Sequence, residues 1–372
     1  MIKKLLLALF LFLQFFAFSQ YKPLSEKATV SVFTCGRGNE LYSTFGHTAI
    51  RIKDSENFLD VVYNYGAFDF RTENFYLKFV KGDLQYFINA TSYEDFVFEY
   101  QMDQREVVEQ TLNLSLEKKQ QLFELLTNSL SSEESHYTYK FIDRNCTTKV
   151  LDKINESIGK PFLQKVDDKT ITYRELFYPY FDNYFWYKLG INIIFGAKTD
   201  AKAEKLFLPV ELMNSLDKAI VGGKPLVTKK EILVKGSNKL ESEFSFLNSI
   251  YFIALLLFII VILRKLFVYF SYLFVLGLLG VFFCFVGLYS FHEELLWNYN
   301  ALLFNPLFVI LPFLRGKWFK NFCITSFVML LIYSVIMIGK PHLPLMIPFI
   351  LANGFILFRF LKQYNKVQNE NL

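Results

Sequence analysis

From Phe244 to Leu361 the chain is almost continuously apolar, and this stretch fixes the architecture before any other residue is considered. Hydrophobic runs at Phe244–Leu263, Leu266–Tyr289, Ala301–Leu314, Phe322–Ile338 and Leu343–Phe360 read as five membrane spans. The third is short against the roughly 20 residues that an apolar helix needs to cross a hydrocarbon core. A chain of 372 residues that is 53% hydrophobic and 19% aromatic is too apolar for an ordinary soluble protein, and the excess lies here. Upstream, from about Tyr21 to Glu243, polar and aromatic residues are mixed as in a globular domain. The expected division is therefore an export signal at 1–19, a globular domain at 20–220, a linker at 221–243 carrying Gly222-Gly223 and several lysines, a five-helix membrane domain at 244–361, and a tail at 362–372.

Charge orients the chain. Arg264 and Lys265 follow the first apolar run, Arg315, Lys317 and Lys320 the third, and Arg359, Lys362 and Lys366 the fifth, whereas the opposite side has only Lys340. The excess of positive charge belongs on the cytoplasmic side, so the C-terminus is expected there and the globular domain outside. The N-terminus agrees independently: Lys3 and Lys4, an apolar run from Leu5 to Phe18, and Ala17-Phe18-Ser19 before Gln20 read as a cleavable export signal, with an uncleaved anchor as the alternative. No cysteine follows the cleavage site, so the chain is not expected to be a lipoprotein itself. The net charge of +5 comes from scattered or span-flanking residues, which argues for membrane orientation and against nucleic-acid binding.

Within the globular part, Thr29–Thr34, Thr48–Ile52, Leu59–Tyr65, Leu84–Ala90 and an interrupted Phe96–Asn113 read as strands separated by turn signals. Ser115 to Leu130 reads as an amphipathic helix capped by Ser115, with Leu122, Phe123, Leu125 and Leu126 inward. A second helix is set by Val150, Leu151, Ile154 and Ile158, with Gly159 as its stop, which puts Cys146 in the first turn. A helix N-terminus favours negative charge and lowers a thiol pKa, so Cys146 is the candidate nucleophile. His47 is the candidate base, since the other three histidines lie in a polar loop or beside apolar spans. If the strands around His47 and Asn64 pair as a hairpin, Asn64 can hydrogen-bond the second ring nitrogen and fix the tautomer. Backbone amides at the helix start would hold an oxyanion. Cys284 and Cys323 sit in apolar runs as small hydrophobes. His292-Glu293-Glu294 lacks metal-site spacing and reads as a solvated loop, and Asn305-Pro306 reads as a helix break.

Histidine before cysteine is the reverse of the usual papain order and resembles circularly permuted papain-like folds such as the lecithin:retinol acyltransferase group. More specifically, Thr34-Cys-Gly-Arg-Gly38, Phe45-Gly-His-Thr-Ala-Ile-Arg51, Tyr63-Asn-Tyr-Gly-Ala-Phe-Asp-Phe70, Asn74-Phe-Tyr76, Leu112-Asn-Leu-Ser115, Asn145-Cys-Thr-Thr148 and Phe207-Leu-Pro209 resemble the motifs of the Lnb-type lipoprotein N-acyltransferases. The resemblance implies an α+β, permuted papain-like exported domain followed by an all-α region of five spans. It also implies transfer of an acyl chain from a membrane phospholipid to the α-amino group of a diacylated lipoprotein, at the cytoplasmic membrane of a bacterium with the domain facing the periplasm. His47 and Cys146 match the family's base and nucleophile, and no metal or nucleotide is called for. The chain departs from the pattern at Asp143-Arg144 and at Asp200, which is followed by Ala201 where a basic residue is expected. Two alternatives stay open on the residues alone: a membrane-anchored thiol hydrolase acting on phospholipid or peptidoglycan, and a non-enzymatic scaffold with a Cys35–Cys146 disulfide.

Overall fold

The computed structural model describes residues 22–159, 161–237 and 244–370, so the expected export signal lies outside the described residues. In chain order the globular part runs β1 (Thr29–Cys35), β2 (His47–Asp54), β3 (Leu59–Ala67), α1 (Phe75–Lys81), β4 (Gln85–Ser92), α2 (Tyr93–Met102), β5 (Val107–Leu112), α3 (Leu116–Ser131), β6 (His136–Thr138), α4 (Cys146–Ile158), α5 (Tyr173–Phe177), α6 (Phe185–Ile194), α7 (Pro209–Lys218), β7 (Ile220–Val221), β8 (Lys224–Pro225) and β9 (Val227–Val234). A seven-stranded sheet has the order β6-β4-β3-β2-β1-β5-β9, and every neighbouring pair is antiparallel.

The alternation of side chains along the strands builds two cores. Val30, Val32, Ile50, Ile52, Tyr63 and Tyr65 face α3 and α4, where Leu122, Phe123, Leu126, Val150 and Ile154 are buried against them. On the opposite face Phe33, Ala49, Val62 and Val107 pack under Phe96 and Tyr100 of α2. Arg51 on this face is also buried, held by Asp60 at 2.7 Å and Glu109 at 3.1 Å and stacked on the Tyr93 ring. Such a charge tolerates burial because both carboxylates and a ring face replace the water it loses.

Two expectations for this part are corrected. Phe96–Asn113 is not one strand: Ser92 caps a helix by accepting from the Asp95 N–H, so the first half is α2, and β5 begins only at Val107. The linker expected at 221–243 contains the hairpin β7–β8 and β9, which pairs with the β5 edge from Val107 to Leu112. Its lysines at 229 and 230 sit on an exposed edge strand, where charge blocks pairing with another chain.

The apolar region forms α8 (Ile250–Leu263), α9 (Leu266–Tyr289), α10 (Gly316–Ile336) and α11 (Leu343–Glu370). Among the described residues, α9, α10 and α11 are long and apolar enough to cross a membrane, so the five expected spans become three and a short helix. The first run becomes helical only at Ile250, after the extended Ser249 and a turn at Phe246–Asn248. The third run is not a continuous helix either. Pro306 and Pro312 remove backbone donors, and 299–313 breaks into short 3-10 turns. These turns lie against Gly277 and Gly280 of α9, where any side chain would collide with the backbone of Phe304 and Val309. Their polar groups are met from within: Asn353 donates to the Leu303 carbonyl and Asn305 accepts from the Leu307 N–H. Irregular backbone at this depth is sustainable only when it is buried in protein in this way. Asn305 is thus a structural cap.

Ile154 is fully buried between α4 and the sheet. Ile154→Ala is expected to lower stability by about 2–5 kcal/mol through lost burial and a residual cavity, read as a fall in the thermal midpoint of the detergent-solubilised chain. A loss below about 1 kcal/mol would mean that α4 is not packed as described.

Candidate active site

The site is assembled where three strands meet the start of α4. Asn145 caps that helix: its side-chain carbonyl accepts from the Thr148 N–H at 3.0 Å, and the Thr148 hydroxyl accepts from the Asn145 N–H at 2.9 Å. The Asn145 amide group also donates to the carbonyls of Phe141 and Phe207 at 2.8 Å each, so the loop before the helix is held from both sides. Capping of this kind contributes about 1 kcal/mol, and here it also aims the next residue. That residue is Cys146, at the first helical position. Its own amide and that of Thr147 precede the helical ladder and have no intrahelical acceptor. Thr147 is anchored to β2 by a hydroxyl contact with Thr48 at 3.0 Å.

His47 is the first residue of β2, directly after Gly46, whose φ of +82° sets the turn into the strand. Asn64 lies on β3 one register step beyond, opposite Ala49. The His47 Nε2–H donates to the Asn64 side-chain carbonyl at 3.2 Å. The Asn64 amide is oriented by the Val62 carbonyl and the Thr91 hydroxyl, each at 3.4 Å. With Nε2 so engaged, the hydrogen bond between His47 and the Cys146 sulfur runs through Nδ1. The three residues singled out in the sequence therefore form one connected row.

Electrostatics follow from this row. Burial works to raise the Cys146 thiol, but the charge and hydrogen bond of His47, with the Thr48 amide and Thr147 hydroxyl, outweigh it and hold the thiol below its usual value. Burial works to lower His47, but the Cys146 thiolate and the bond to Asn64 outweigh it, and the imidazole is raised. The two shifts have one source: at this contact thiolate and imidazolium favour each other. Cys35, on β1 opposite His47, behaves otherwise: burial pushes its thiol up to about 12, against a smaller lowering by a hydrogen bond with Tyr100. Both are free thiols in the structure, and no disulfide joins them.

Several participants were not visible in the sequence. Gly66 on β3, at φ +92°, lies where an added Cβ would stand 3.6 Å from the Cys146 Cβ, so it keeps the approach to the thiol open. The loop after α9 braces the loop before Cys146: Glu294, almost wholly buried, accepts from the Ile142 N–H at 3.3 Å, and Glu293 pairs with Lys140 and Lys198. Lys198 and Lys205 both engage Asp143. The loop 292–294, expected to be solvated, is instead part of this clamp, and the His292 ring donates to the Phe79 carbonyl. Asp200 binds the buried Arg174 at 2.8 Å and Lys340, between α10 and α11, at 3.2 Å. Asn300 extends the junction, donating to the Asn192 carbonyl and accepting from Tyr333. Only long-range pairing reveals these roles, since the partners lie 152 positions apart for Glu294 and Ile142 and 213 apart for His292 and Phe79.

Residues 18–178 match the model of the Lnb N-terminal periplasmic domain. Residues 18–178 are assigned by this match to the Lnb family. Together with three helices long and apolar enough to cross a bilayer, this domain fits a membrane protein with a periplasmic domain. No curated protein and no solved structure matches the chain.

Because the Cys146 thiol is held below its ordinary value, thiolate persists as pH falls below the range in which a free cysteine is deprotonated. Alkylation of Cys146 by iodoacetamide, followed by peptide mass spectrometry, is expected to stay fast toward neutral pH. In His47→Ala the strongest of the influences that oppose burial is gone, and the alkylation profile should move to higher pH. Identical profiles in the two proteins would show that no ion pair exists.

Proposed function

We propose that this protein is a lipoprotein N-acyltransferase that carries an acyl chain from a membrane phospholipid, as a Cys146 thioester, to the α-amino group of a diacylated lipoprotein. The observation that supports it most is the row Cys146–His47–Asn64 at a helix start, in a domain clamped to membrane helices. Thiol, imidazole and carboxamide in this order is the constellation that papain-like thiol enzymes use for acyl transfer. The domain is read as a permuted papain-like fold, facing the periplasm from the cytoplasmic membrane.

The reaction runs in two halves. The Cys146 thiolate attacks the phospholipid ester carbon, and the oxyanion is met by the amides of Cys146 and Thr147 at the helix start. The carbon–oxygen bond breaks, the His47 imidazolium gives its proton to the departing alkoxide, and lysophospholipid leaves behind a thioester. The lipoprotein amine then attacks the thioester while His47 Nδ1 takes the amine proton. The carbon–sulfur bond breaks, an amide is formed, and the thiolate returns. Asn64 holds the ring in one tautomer and orientation through both halves. Both substrates reside in one leaflet beside a tethered domain, which raises their effective concentration at the thiol.

The test is mass spectrometry of a lipoprotein's N-terminal peptide from cells that express the wild-type chain, Cys146→Ala or His47→Ala. Wild type should add one acyl mass that both variants lack. Lysophospholipid and free fatty acid without peptide modification would make the protein a hydrolase, and full acylation by Cys146→Ala would remove the thioester altogether. Asn64→Ala keeps both reacting groups and should slow transfer by about 10–100-fold, in line with loss of an orienting group, while shifting the Cys146 alkylation profile less than His47→Ala does.

A further inference from the structure

Helix α1 has no buried residue, although Phe75, Tyr76, Leu77, Phe79 and Val80 make up most of its seven positions. Tyr76, Leu77 and Val80 are each more than half exposed. A face of this kind is unfavourable against water and fits a bilayer surface, where Lys78 on the same helix would meet lipid headgroups while Lys81 pairs with Asp83 at 2.7 Å.

Its position is fixed by hydrogen bonds to the chain that leaves the spanning helix α9. Phe291 N–H donates to the Lys81 carbonyl at 2.7 Å, the Ser290 hydroxyl to the same carbonyl at 3.1 Å, and the His292 ring to the Phe79 carbonyl at 2.8 Å. Since α9 ends at Tyr289, α1 is held within a few residues of the point where an apolar helix long enough to span reaches the membrane surface. The Lys81 ammonium lies over the rings of Tyr289 and Phe291 at that boundary.

The same helix is continuous with the thiol. Phe75 packs on Phe70 at 5.0 Å and Phe68 at 5.8 Å, and Tyr42, in the short turn before His47, closes on Phe68 at 6.0 Å. Phe68 is two residues from Gly66, the glycine against Cys146. Phe70 and Tyr42 are themselves largely exposed. An aromatic wall thus runs from the nucleophile to a helix at the bilayer surface.

We propose that α1 lies in the outer-facing leaflet and that Phe68, Phe70 and Phe75 form the wall along which a phospholipid acyl chain passes between bilayer and Cys146. The membrane contact stands on geometry alone; the acyl route rests on the acyl-transfer reading.

The experiment places the photo-crosslinker p-benzoylphenylalanine at Tyr76 or Leu77 in the full chain, reconstituted in nanodiscs of dioleoylphosphatidylethanolamine. Leu278, exposed in mid-α9, reports insertion, and Phe98, on α2 beyond a full strand length of roughly 25 Å from α1, is the control. After irradiation, peptides carrying positions 76, 77 and 278 should gain one phospholipid mass and the peptide carrying 98 should not. Labelling at 278 without labelling at 76 and 77 overturns the proposal, as does equal labelling at 98 or capture of scaffold protein in place of lipid. In the second arm, Tyr76→Asp with Leu77→Asp should slow lipoprotein acylation from the bilayer by at least about tenfold, because the local supply of donor is lost. Acylation of Cys146 by a short-chain soluble p-nitrophenyl ester should be unchanged. Equal rates from the bilayer overturn the acyl route. A wild-type chain that crosslinks at 76 and 77 yet transfers no acyl chain keeps the membrane contact and removes the acyl-transfer reading instead.

Discussion

A thiolate in a half-buried site survives only if positive charge is held against it, and the rest of the globular domain serves that condition. The Asn145 cap fixes where α4 begins, the Thr48–Thr147 contact fixes α4 to β2, and the register of β2 with β3 brings Asn64 to the far nitrogen of the His47 ring. Each of these contacts works against the burial that would otherwise favour the inert thiol, the charge of His47 most strongly. Cys35, on the neighbouring strand, shows that outcome: burial outweighs its hydrogen bond with Tyr100 and the charge of Arg105, and the thiol is pushed up to about 12.

The second constraint is attachment. The loop leading to Cys146 is bonded to Glu293 and Glu294, and Arg174 reaches through Asp200 to Lys340, so the globular domain and the apolar helical region share polar contacts. Buried ion pairs such as Arg174–Asp200 add little net stability compared with apolar packing, but breaking one partner is costly. They suit a junction whose orientation has to be unique. Asp200, followed by Ala201 and without the basic neighbour expected in the sequence, finds its cation on the far side of the chain instead.

How much was legible follows the range of each signal. The start and stop of α4, the α3 cap at Ser115 and the first four strands of the sheet are local patterns, and they stand within one to three residues of the expected bounds. The placement of Cys146, His47 and Asn64 in one row was also foreseeable, because strand alternation and one helix start determine it. What failed was context. Apolar content over Ala301–Leu314 looks like a span, yet two prolines and a pair of glycines on α9 turn it into a packed irregular segment. Lysine-rich residues after Gly223 look like a linker, yet the β5 edge required a partner. His292, Glu293 and Glu294 look solvated until the loop that they bind is known.

The strand order carries a consequence for biogenesis. β5 is laid down before the middle of the chain, but its outer edge is closed by β9, which ends at Val234, just ahead of the membrane helices. During export that edge waits for more than a hundred residues with its backbone donors and acceptors open to any strand that passes. The sheet is completed only when β9 has followed, so closure of the domain waits on the strand just ahead of the apolar helices. For the same reason the natural limit of a soluble fragment is Val234, and cutting at 220 would leave a sticky seam in place of an edge.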